Sequence, residues 1–177
     1  MVEDPVAPMA DDSPDNSLSE EFRANVQQKL KDGNLCYIPN RSAENGSFIL
    51  AEMARKATTD FLAYIDVDSI DVWNHDVFSA LADASHRNVR VLLVLTQDSP
   101  TIRSYASELQ DFRGKILVDN SPTEHQVIMP FAVIDGVDVR LELREGAAPL
   151  LVIGEHDLGA ASRRFILSIA RVQGEAI

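Results

Sequence analysis

The sequence predicts an α/β domain: a mixed, mostly parallel sheet sandwiched by helices. Three features carry that prediction. Apolar runs of strand length alternate with segments whose apolar residues recur at helical spacing. The run "NVRVLLVLT" (88–96) is nearly continuous in Val and Leu, as strands covered on both faces are. Two further apolar runs, "IMPFAVID" and "VDVRLEL", flank Asp135-Gly136, a pair that favours a two-residue hairpin turn.

Residues 1–17, "MVEDPVAPMADDSPDNS", hold acids and prolines and no basic residue, so they are expected to form a disordered acidic tail. One domain is expected over 18–177. Leu18, Phe22, Val26 and Leu30 recur every four residues; Ser17 or Ser19 can cap this first helix, and Asp32-Gly33-Asn34 ends it. "LCYIP" (35–39) reads as a short strand. "GSFILAEMARKA" (46–57) reads as a helix with Ile49, Met53 and Ala57 on one face, entered through the loop 44–48. "DFLAYIDV" (60–67) is a strand by its length and β-favouring residues.

A helix follows over 73–87, with Val77, Leu81 and Ala84 inward, and then the strand 88–96. A helix over 101–109, the strand "KILVDN" and a loop at 121–127 lead to the hairpin. "PLLVIG" is one more strand. The last helix spans 157–172 with Leu158, Ala161, Phe165, Ile169 and Val172 inward.

Composition limits function. The net charge of −12, with no Lys/Arg-rich run, argues against nucleic acid and anionic membranes as partners, although Arg163 and Arg164 leave room for a local basic patch. Cys36 is the single cysteine, which excludes an internal disulfide and a cysteine-built zinc site; it reads as a small buried apolar residue. No leader and no membrane-length apolar run is seen, so a cytoplasmic location is expected.

The order of these elements resembles one lobe of the phospholipase D superfamily, over residues 46–173. The resemblance rests on "FLAYIDV", "VFSALADASHRNVRV", the strand–Asp-Gly–strand hairpin, and "PLLVIG" with "ASRRFILSIARV". The family motif is His-x-Lys-x-x-x-x-Asp followed by Gly-Ser-x-Asn, in which histidine attacks phosphorus while lysine and asparagine hold the non-bridging oxygens. Asp135 and Gly136 fit the end of that motif. Ile128 stands where the resemblance implies histidine, Pro130 where it implies lysine, and "LELREGAAP" contains no Gly-Ser-x-Asn. His125 lies three residues before the histidine position. Losing one such donor costs about 3 kcal/mol of transition-state stabilisation. The resemblance therefore implies a catalytically inactive phospholipase D-like domain, acting in binding, regulation or assembly. Because family lobes pair, it also implies a homodimer or a protein partner.

Two other function classes stay open. One is a phosphodiesterase or nuclease with relocated residues, for which His125 and Asp135 are the catalytic candidates. The other is a small-molecule or nucleotide sensor. "DVDSIDVWNHD" (66–76) follows a strand, and Asp66 and Asp68 there are candidate ligands for Mg²⁺, against the plainer reading of a solvated loop capped by Asp71 or Asn74. No cofactor is expected. The loop at 44–48 is weighed as an anion cradle at a helix start, His86 and His156 as helix-end residues, and Trp73 as packing.

Overall fold

The computed structural model describes residues 18–109, 112–120, 129–142 and 148–174, with the side chains of Val67 and Asp68 left aside. The tail 1–17 and the loop 121–127 lie outside the described residues.

Helix α1, Glu20–Asp32, starts where the Ser19 hydroxyl accepts from the Phe22 N–H at 3.1 Å. It stops at Gly33, whose φ of 67° is the left-handed cap that glycine adopts without strain. Strand β1 is Cys36–Pro39. Helix α2, Ala43–Lys56, begins earlier than its apolar spacing suggests, because the Ser42 hydroxyl caps it by accepting from the Asn45 N–H at 3.0 Å. Residues 44–48 are therefore helix rather than loop, and helix capping, weighed there against an anion cradle, is what the segment before them provides.

Strand β2, Asp60–Ile65, is buried at every position. A 3-10 segment, Val67–Val72, leads to α3, His75–His86, capped by Asn74. Strand β3, Arg90–Leu95, precedes α4, Pro100–Glu108, whose cap is Ser99 and whose first residue is a proline suited to that position. Strands β4 (Lys115–Val118), β5 (Phe131–Ile134), β6 (Asp138–Leu141) and β7 (Leu150–Ile153) lead to α5, His156–Val172.

The strands form one sheet in the order β1-β7-β6-β5-β2-β3-β4. It is mixed, as expected, but the expectation of mostly parallel pairing is corrected. Only β2–β3 and β3–β4 are parallel, whereas β2–β5, β5–β6, β6–β7 and β7–β1 run antiparallel. The physical reason is local for β5–β6, where a hairpin reverses the chain without a crossover, whereas β5 beside β2 and β7 beside β1 are pairings of strands distant in sequence, whose direction no local signal sets. The turn is also longer by one residue than a two-residue hairpin: Ile134 pairs with Asp138, leaving Asp135, Gly136 and Val137 between them.

Alternation along the strands divides the core. Phe61, Ala63, Ile65, Leu93, Ala132 and Ile153 meet α1, α2, α3 and Ile102 of α4 on one face. Leu62, Tyr64, Leu92, Val94, Val133 and Val139 meet α5 on the other. Each large side chain so buried stabilises the fold by about 1.5–3 kcal/mol. Trp73 is packing, edge-on to Phe61 at 6.4 Å between ring centroids. On α5, Leu158, Phe165 and Ile169 pack inward as expected, whereas Ala161 and Val172 are exposed and Gly159, Ser162, Ile166 and Ala170 complete the buried face. Among the described residues no helix is long and apolar enough to cross a membrane.

Candidate functional site

In open α/β sheets ligands collect beyond the C-terminal ends of the parallel strands, so that end is the natural place to look for a site. Hydrogen bonds join the strand ends there. Thr96 N donates to Ile65 O, Asp119 N to Leu95 O, Glu142 N to Pro130 O, and Asn40 N to Pro149 O. The ends of β2, β3, β4 and β6 and the starts of β5 and β7 thus share one rim.

Among the described residues the rim carries charges of both signs, with Arg41 beyond the end of β1 and Arg103 paired to Asp98. Asp66 follows β2, Asp119 follows β4, Glu142 follows β6, and Asp98 precedes α4. The cation that the sheet itself carries toward this rim is Arg140 of β6, and it is 2% exposed. Its Nη1 is paired with Glu142 Oε1, and its Nη2 donates to Asn40 Oδ1 at 3.1 Å. Burial pushes the Arg140 pKa below the ordinary arginine range, with the Glu142 carboxylate opposing that shift. A Cβ on Gly46 would come within 2.6 Å of Arg140 Nη2, so the first turns of α2 close over the guanidinium. Nearby, Tyr64 donates its hydroxyl to Asp119 Oδ2 at 3.0 Å, inside a cage formed with Phe131 and Phe165. Burial first, and then the Asp119 carboxylate, push the Tyr64 phenol far above its usual range, so it remains a hydrogen-bond donor.

Of the catalytic and metal-ligand candidates singled out by sequence, the two whose side chains are described, Asp66 and Asp135, lie at opposite ends of the sheet. Asp66 lies on the rim. His125, Ile128 and the side chain of Asp68 lie outside the described residues. Among the described residues no group of three His, Cys, Asp and Glu is placed to hold a metal ion. Pro130 is buried at the start of β5.

Asp135 is at the opposite end of the sheet, next to the start of β2. Its φ is 53°. Its carboxylate accepts from the backbone N–H of Thr58 (3.0 Å), Thr59 (2.8 Å) and Asp60 (3.1 Å) and from the Thr58 hydroxyl (2.9 Å). Burial alone would raise its pKa, but the donors of Thr59, Asp60 and Thr58 outweigh burial and hold the carboxyl below its ordinary value. Beside it lies a centre that the sequence reading missed. Asp60 is completely buried, and its Oδ2 accepts from Arg90 Nη2 at 2.9 Å and Arg163 Nε at 2.7 Å. The signal was present, since an acidic residue opens an otherwise apolar strand, but both partners are distant in sequence.

Comparison with solved structures settles the fold. Nuc from Salmonella typhimurium, a phospholipase D family member, aligns over 78% of this chain and 93% of its own, with a TM-score of 0.54 at 16% identity. The fold is that of the phospholipase D superfamily. NucT from Helicobacter pylori has the same phospholipase D-like architecture, with 78% of this chain and 96% of NucT aligned, a TM-score of 0.55 and 10% identity. TrmBL2, an archaeal chromatin protein that binds DNA, aligns over 84% of this chain at a TM-score of 0.50 and 15% identity, and the match spans 58% of TrmBL2. No family model and no curated protein sequence matches the chain.

Proposed function

We propose that this chain is a catalytically silent phospholipase D-like domain, working as a binding, regulatory or assembly module in a homodimer or with a protein partner. One observation carries the reading. Arg140, the cation that the sheet directs toward the rim, is buried and already paired to Glu142. Phosphoryl transfer depends on positioned donors that hold the charge developing on the non-bridging oxygens. With Pro130 at the lysine position and the Arg140 guanidinium taken up by Glu142, the described part of the sheet offers a phosphodiester neither of these cations. The net charge of −12 weighs against DNA or RNA as a partner as well, so the DNA binding of TrmBL2 is not carried over.

Hydrolysis of a generic phosphodiester, short DNA and short RNA, each with Mg²⁺ and with EDTA, tests the reading. The expected result is no turnover in any condition. Turnover that disappears in His125→Ala would overturn it in favour of a phosphodiesterase with a relocated nucleophile. Metal-dependent turnover lost in Asp66→Asn would overturn it in favour of the acidic loop.

A further inference from the structure

At the end of the sheet away from the rim, Thr59, Asp60, Asp135, Gly136, Ala160, Arg163 and Arg164 line an open depression of about 300 Å³. Both carboxylates are engaged, although Asp60 Oδ1 has no hydrogen-bond partner among the described residues. Asp135 takes the donors of Thr58 to Asp60, and Asp60 is fully buried against Arg90 and Arg163. The cations are not occupied to the same degree. Arg163 gives only Nε to Asp60, and its two terminal amino groups make no hydrogen bond among the described residues. Arg164 is exposed and has no hydrogen bond or ion pair among the described residues. The lining sets Arg163 and Arg164 against Asp60 and Asp135, so its formal charges balance in a chain whose net charge is −12.

The Arg163 side chain is held in place before any ligand arrives. Asp60 fixes its Nε at 2.7 Å, Arg90 holds Asp60 at 2.9 Å, and Gly136 lies under its stem, where a Cβ would come within 3.1 Å of Arg163 Cδ. A guanidinium anchored through Nε turns its remaining planar fork outward, the arrangement that receives a carboxylate or phosphate with little further ordering. Thr59, exposed on the same wall, adds a hydroxyl.

We propose that this depression binds the anionic group of a small molecule, a phosphate or a carboxylate, between Arg163 and Arg164. The site is at the opposite end of the sheet from the rim, and it stands whether or not the rim is catalytically silent.

The test is an amide NMR titration of the full chain with inorganic pyrophosphate and, separately, with citrate, against sodium chloride at matched ionic strength, since exposed charges are screened by salt. The expected result is saturable shifts at Thr59, Gly136, Ala160 and Arg164 with at least one of the two anions. Which anion binds more tightly assigns phosphate or carboxylate chemistry. Arg164→Gln, a change at an exposed and unpartnered side chain, should weaken that binding about tenfold. Arg171→Gln, exposed at the other end of α5, should leave it unchanged. Shifts that fail to saturate, that chloride reproduces, or that persist with equal affinity in Arg164→Gln would overturn the proposal.

Discussion

Asp135 in the β5–β6 turn and Thr58 beyond the end of α2 are joined twice: the backbone N–H and the hydroxyl of Thr58 both donate to Asp135 Oδ2, at 3.0 and 2.9 Å. With Thr59 and Asp60 adding their own N–H groups, the turn ties together the chain that enters β2. Asp135→Ala should therefore destabilise the fold by about 1–3 kcal/mol, the cost of leaving these donors unmatched, with some water able to reach Thr58 and Thr59. Asp135→Asn, which keeps an acceptor and tolerates the positive φ, should cost less. Urea unfolding compares the three proteins; an alanine variant as stable as the parent would show that the clamp contributes nothing.

The same carboxyl makes stability depend on acid. Its folded pKa lies below the ordinary value of 3.8, so the ionised form favours the folded state. That contribution is complete above the ordinary carboxylate pKa and is lost as pH falls through the depressed folded value. Urea midpoints measured on descent from about pH 5 to pH 2 should fall more steeply for the parent than for Asp135→Asn. Parallel profiles would remove Asp135 from acid unfolding.

Asp60 and its two arginines should respond asymmetrically. Arg90 and Arg163 are 35% and 36% exposed, so in Asp60→Asn both guanidiniums can turn to water. Replacing both arginines by methionine instead strands a fully buried carboxylate, a change of the kind that costs about 3–5 kcal/mol. The double arginine variant should unfold at lower urea than Asp60→Asn. The reverse order would mean that the arginines, not the carboxylate, are the costly group to leave unpaired.

Gly159 tests the seat of α5. A Cβ there would stand 2.3 Å from Gly136 O and 2.5 Å from Gly136 C, both backbone atoms. Alanine inside a helix gains up to about 1 kcal/mol over glycine, whereas an overpacked contact costs about 1–3 kcal/mol. Crowding should win, and Gly159→Ala should lower Tm and shift the amides of Gly136 and Val137. A raised Tm would mean that α5 can move off the hairpin freely.

Legibility in the sequence followed the range of the forces. Strands β2 and β3 stood out because an apolar run is a local signal, and the starts of α1 and α3 were marked by Ser19 and Asn74. The beginning of α2 was hidden because Gly46 looks like loop, yet the lack of a side chain there is what lets α2 close over Arg140, a residue far along the chain. Part of the inward face of α5 was hidden for the same kind of reason: Gly159 and Ser162 are buried because the helix approaches the hairpin closely, which periodicity cannot report. In the site, Asp135 was readable as a turn residue but not as an acceptor for Thr58 to Asp60. Parallel pairing was over-assigned because β5 beside β2 and β7 beside β1 are pairings of strands distant in sequence, whose direction no local signal sets.

The strand order also has a consequence for how the chain is made. Strand β1 is made well before β7, its partner in the sheet among the described residues. Until β7 arrives, Tyr37 sits on a strand without that neighbour, and the sheet face that α5 later covers is open to water. A nascent chain stalled before residue 150 would therefore display two sticky surfaces at once, a lone edge and a bare sheet face, which β7 and α5 then close.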